Sequence, residues 1–78
     1  MKTIPDYHQK RLEYIGTFLR ELRINDGLTQ SDVCSEIEMH RNSLIRIECA
    51  NHNYSILSLF ELADYYDISV YELFNEVE

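Results

Sequence analysis

Glycine and proline are scarce, two and one in 78 residues, which leaves no material for glycine-built phosphate loops, collagenous repeats or a flexible linker. No apolar run exceeds two residues, as in Phe18-Leu19 or Leu73-Phe74. The chain therefore lacks a membrane span and the apolar stretch of a signal peptide, and a cytoplasmic location is expected. Cys34 and Cys49 stand fifteen apart with no CxxC spacing, which predicts free thiols. His8, His40 and His52 are too irregularly spaced for a metal site. There is no GxSxG turn and no HExxH, so no catalytic residue, enzyme activity, cofactor, metal or small-molecule ligand is expected.

Positive charge is also short. Seven Lys and Arg face fourteen Asp and Glu, a formal −7, which at face value opposes a partner as anionic as nucleic acid or a lipid surface. The total hides a gradient. Residues 1–46 hold all seven basic side chains and seven acids, whereas residues 47–78 hold seven acids and no Lys or Arg. An anionic partner would meet the first half.

What is present is helical periodicity, with 45% apolar residues falling in pairs every three to four positions and no alternation long enough for a strand. One all-α domain over 1–78 follows. Helix one is predicted from about 6 to 25, with Leu12, Ile15, Phe18, Leu19 and Leu22 on one face and Gly27 as its left-handed stop. Gly16 inside it marks a kink, a close packing contact or a plain weakness. Thr29-Gln30-Ser31-Asp32 has the form of a capping box and opens helix two over about 30–37. A tight turn leads to helix three over about 41–49. Ser55 is placed to cap a fourth helix with Ile56, Leu59, Leu62, Ala63 and Tyr66 inward, stopped near Asp67. Ser69-Val70-Tyr71-Glu72 opens a fifth helix running to the C-terminus.

The residues Leu19-Arg20-x-Leu22-Arg23, Leu28-Thr29-Gln30-x-x-Val33-Cys34, Arg41-x-x-Leu44-x-Arg46-Ile47-Glu48, Ser55-Ile56-x-x-Leu59-x-x-Leu62-Ala63 and Ile68-Ser69-x-x-x-Leu73-Phe74 together resemble the lambda-repressor-like, XRE-type (Cro/CI) helix-turn-helix family. The likeness covers residues 15–74, with the helix-turn-helix proper at about 29–48. It implies a five-helix DNA-binding domain and a sequence-specific transcriptional regulator, a repressor or autoregulator, whose partner is double-stranded operator DNA and whose third helix enters the major groove. By the same likeness Arg41, Asn42 and Arg46 face bases, with Ser43 and Ile45 close by. Such side chains suit guanine, adenine and thymine edges. Thr29, Gln30, His40 and Asn51 are the phosphate candidates, with Arg20, His52 and Asn53 behind them. Arg23 and Glu48 correspond to a structural ion pair.

Leu57, Val70, Tyr71, Phe74, Val77 and Tyr65 have no evident inward role, which is more apolar surface than a small monomer usually exposes. Dimerisation through the last helix is common in the family, so a homodimer centred on Tyr71 and Phe74 is expected. The chain departs from the family pattern at several points. Glu38 and Ala50 stand where glycine is usual, the latter leaving Asn51 to take any left-handed turn, while His40 replaces a Ser or Thr cap and Tyr54 a common proline. The alternative is a helix-turn-helix protein without DNA affinity, acting as an interaction module or antagonist of another regulator; the net charge and Glu38 favour it.

Overall fold

The computed structural model describes residues 5–50 and 54–75, and these form five helices and no strand. They are α1 (Asp6–Asn25), α2 (Gln30–Ile37), α3 (Arg41–Cys49), α4 (Ile56–Tyr65) and α5 (Val70–Phe74). The starts follow from side-chain oxygens that satisfy otherwise orphaned amides. Thr29 and Asp32 complete a reciprocal capping box on α2, with the Asp32 amide on Thr29 Oγ1 at 3.0 Å and the Thr29 amide on Asp32 Oδ2 at 2.8 Å. The Thr29 amide, and after it the Thr29 hydroxyl, hold the Asp32 carboxyl below its ordinary pKa. Ser55 and Ser69 accept from the amides of Ser58 and Glu72 to open α4 and α5.

Three helix ends share one device. Gly27, Glu38 and Asp67 take left-handed backbone at φ 71°, 55° and 57°. The next residue's amide then reaches back five positions, Leu28 to the Arg23 carbonyl, Met39 to Cys34 and Ile68 to Ala63, at 3.0 to 3.1 Å. At Glu38 the conformation costs about 1–2 kcal/mol that glycine would avoid. Ala50 corrects an expectation, for it adopts φ 53° itself rather than passing the turn to Asn51. Its amide bonds the Ile47 carbonyl and its own carbonyl accepts from Gln9; Asn51 lies outside the described residues.

Leu19, Leu44, Ile47, Leu62, Leu73 and Val33 are fully buried, each worth about 2 kcal/mol of transfer free energy, and Ile15 and Leu59 complete the cluster. α3 packs on α1 and α2, while α5 lies against α1 and α4. Gly16 has a definite reason to be glycine. A Cβ there would overlap the Ile47 carbonyl oxygen and come within 3.2 Å of the Glu48 carbonyl oxygen, so α1 and α3 meet backbone to backbone. Two further bonds lock the same pair of elements to the chain that follows, Gln9 Nε2 to the Ala50 carbonyl at 2.8 Å and the Tyr54 hydroxyl to the Leu12 carbonyl at 3.0 Å.

Ile56 was expected inward but is 52% exposed, because Leu59, Leu62 and Ala63 already fill the buried stripe of α4. The last helix is shorter than expected, ending at Phe74 with Asn75 in a turn; residues 76–78 lie outside the described set. No described helix is long and apolar enough to cross a membrane.

Candidate nucleic-acid interface

α2, the turn at 38–40 and α3 form one rigid corner, and its hinge is polar. Arg23 Nε and Nη2 donate to Glu48 Oε2 and Oε1 at 2.8 and 3.0 Å, a two-pronged pair with side-chain exposures of 12% and 2%. Arg23 Nη1 donates to the Leu28 carbonyl at 2.9 Å, and Gln30 Nε2 to Glu48 Oε1 at 3.1 Å. One buried carboxylate thus ties the end of α1, the loop before α2, the first turn of α2 and the last turn of α3. The hydrogen bond to Glu48 raises the Arg23 pKa against the opposing effect of burial.

His40 caps α3 with its ring, Nδ1 accepting from the Asn42 amide at 3.3 Å. The cap occupies Nδ1, which leaves Nε2 as the ring nitrogen for an outside partner.

On α3, Leu44, Ile47 and Glu48 are buried. At 100° per residue this places Asn42 and Arg46 opposite the core, with Arg41 and Ile45 on the side toward α2 and Ser43 on the side toward α4. Cys34 on α2 has its thiol pKa raised by burial and eased down by the charge of Arg41. Among the described residues neither Arg41 nor Arg46 makes a hydrogen bond or ion pair. Arg11, by contrast, rests 5.6 Å from the Tyr7 ring centre and bonds His8.

The remaining site residues are scattered. Thr29 is exposed at the start of α2, with its hydroxyl taken by the cap. The Gln30 side chain is turned to Glu48, so its share in any anion contact falls to its backbone amide. Asn51, His52, Asn53 and Val77 lie outside the described residues. Val70, Tyr71 and Phe74 are exposed together on α5, Tyr71 at 76%. Tyr65 stands apart from them. Its ring meets Tyr66 edge-on at 5.1 Å and lines a cleft with Leu28, Asp32, Ser35 and Glu36 on the α2 side. Two features were missed in the sequence, the exposed Phe60 and the Gln9 bond to Ala50. Phe60 four residues after Ile56 was a legible signal; nothing marked Gln9. No three His, Cys, Asp or Glu side chains among the described residues are grouped to hold a metal, and Cys34 and Cys49 are free.

A family model described as helix-turn-helix matches residues 19–73, from the middle of α1 into α5. The chain belongs to the XRE-type, lambda-repressor-like helix-turn-helix family. No curated protein and no solved structure matches it. The helix-turn-helix assignment makes this a domain of a DNA-binding transcription-regulator family that is typically non-enzymatic.

Proposed function

We propose that the chain is a sequence-specific transcriptional regulator, a repressor or autoregulator, that binds operator DNA as a homodimer with α3 in the major groove. The observation that carries this reading is the outer face of α3. Asn42 and Arg46 stand there with Arg41 and Ile45 beside them toward α2, the three polar side chains having no partner among the described residues, on a helix whose angle is fixed by the Arg23, Gln30 and Glu48 network. Arg suits guanine O6 and N7, Asn suits adenine N6 and N7, and Ile45 suits a thymine methyl. The amides of Thr29 and Gln30 at the start of α2, with His40 Nε2, are the backbone contacts that set register. Val70, Tyr71 and Phe74 supply the dimer contact, which would set two α3 helices about 34 Å apart on one DNA face.

The rival reading, an interaction module without DNA affinity, draws on the −7 charge and on Glu38 at the outer turn. Duplex binding across salt concentrations separates the two. A duplex enriched by the chain from a random library should bind with an affinity that falls as salt rises, and Arg41→Ala or Asn42→Ala should erase its advantage over a scrambled duplex by about 10-fold or more. Absence of any retardation at micromolar protein in low salt would leave only the rival.

A further inference from the structure

The outer side of α4 combines apolar and acidic side chains. At about 100° per residue, Leu59, Leu62 and Ala63 define the inward direction, and Leu57, Glu61 and Asp64 stand opposite them. Ile56 and Phe60, one turn apart, lie on one flank, and Ser58 and Tyr65 on the other. The second flank faces α2 and α3, because Ser58 lines a cleft with Arg46 of α3 and Tyr65 lines one with Asp32 and Glu36 of α2. Ile56 and Phe60 therefore face away from both helices. With Leu57, itself 63% exposed, they form one continuous apolar stripe.

Charge distinguishes this stripe from the exposed face of α5. The ion pair of Arg23 with Glu48 is the one present among the described residues, so Glu61 and Asp64 stand unpaired beside the stripe. Two copies meeting through α4 about a two-fold axis would set these acids against their twins, and like charges brought together oppose such a contact. On α5 the residue opposite the buried Leu73 is Tyr71, so that helix meets no such obstacle. A head-to-tail contact between copies lacks a complement as well. Lys10 and Arg20 on the exposed side of α1 alternate with Glu13 and Glu21, and residues 47–78 contain no Lys or Arg. The free arginines Arg41 and Arg46 stand on α3.

We propose that this side of α4 is a docking site for a partner protein that presents a cationic amphipathic helix. The apolar face of that helix lies on Ile56, Leu57 and Phe60, and its Lys or Arg side chains meet Glu61 and Asp64. Exposed apolar residues one turn apart are the anchors that helix contacts of this kind use, and the acidic rim selects the sign of the partner. A partner held there leaves α2 and α3 uncovered. The docking adds a protein partner to the DNA reading above and does not depend on it.

The test titrates the full isotope-labelled chain with a synthetic helical peptide that has leucines at i, i+3 and i+7 and lysines on both flanks. A second peptide has glutamates in place of the lysines. The cationic peptide should bind at micromolar concentration, shift the amide resonances of residues 56–64 and lose affinity as salt rises, and the anionic peptide should not bind. Glu61→Lys should weaken the cationic peptide by about fivefold, and Leu57→Ala should weaken it by a similar factor, about fivefold, at high salt as well as low. Glu36→Lys makes the same change of net charge on α2 and should leave the affinity within about twofold of native. Equal weakening by Glu61→Lys and Glu36→Lys would overturn the site, leaving only attraction to an acidic chain. Equal binding of the two peptides would overturn it too, since charge would then select nothing. Shifts at residues 56–64 that appear on concentrating the chain alone, and vanish in Leu57→Ala, would give the face to a second copy instead.

Discussion

The α1–α3 half and the α4–α5 half are held by different physics. In the first, a two-pronged ion pair, the side-chain bonds of Gln9 and Arg23 to carbonyls and a backbone contact at Gly16 hold α3 and the loop before α2 against α1. In the second, apart from the Ser55 and Ser69 caps, cohesion comes from Leu59, Leu62 and Leu73, while Ile56, Leu57, Phe60, Val70, Tyr71 and Phe74 face outward. Polar bonds specify an angle and apolar burial mainly supplies cohesion, so the half that must present α3 in one orientation has the directional interactions. The other half has surface to spare for a second chain.

The strongest way to break that contrast is to remove its central carboxylate. Glu48→Ala leaves Arg23 half-buried with only the Leu28 carbonyl, and Gln30 without its acceptor. A loss of about 3–5 kcal/mol is expected, read as a lower urea midpoint. Gly16→Ala comes next at about 3 kcal/mol, because the obstacle is the Ile47 carbonyl, a backbone atom that cannot swing aside. Gly27→Ala is the control. It also puts a Cβ on glycine, but in open space at φ 71°, so only the left-handed strain of about 1–2 kcal/mol is paid. Equal losses at the two glycines would refute the close approach of α1 and α3.

Smaller effects test the two buried tyrosines. Tyr54 joins the halves through its bond to Leu12, and Tyr54→Phe should cost about 1 kcal/mol. Tyr66 has no hydrogen-bond partner for its hydroxyl among the described residues, so Tyr66→Phe should be neutral or slightly stabilising by the same measurement. Burial pushes both phenols from 10 up to about 12, with Glu48 adding to the rise at Tyr66. The folded chain therefore keeps these protons longer than the unfolded one. Their contribution is complete below pH 10 and declines as pH rises from about 10 to 12, and a thermal midpoint that held constant to pH 12 would contradict the burial of both rings.

Helix positions were legible in the sequence because each signal is local. The apolar period, the Thr29 box, Ser55 and Ser69 all act within one turn of the chain. Arg23 and Glu48, 25 residues apart, entered through family resemblance, since no periodicity couples such positions. Gly16 shows the limit well: its helical context suggested three explanations, and only the placement of Ile47 selects one. Ala50 was not legible because left-handed turns are read from residue type, and its φ of 53° and the Gln9 bond to its carbonyl appear only in the fold. For the interface, residue types and the outward face of α3 were readable, but not that Ser43 and Arg46 stand beside Tyr54 and the start of α4, which only the fold brings there.

The least destabilising change is the most informative about the second half. Tyr71 is 76% exposed, so Tyr71→Asp should alter the stability of the isolated fold by no more than about 0.5 kcal/mol. If α5 joins two copies, the same change buries a carboxylate beside Phe74 and Val70 of the interface and should halve the mass seen in solution. Thermal midpoints give an independent reading, because only a dimer gains stability with protein concentration. The native midpoint should rise with concentration and that of Tyr71→Asp should not. A native chain whose midpoint is independent of concentration would remove α5 as a dimer contact and leave its exposed aromatic face to a different partner.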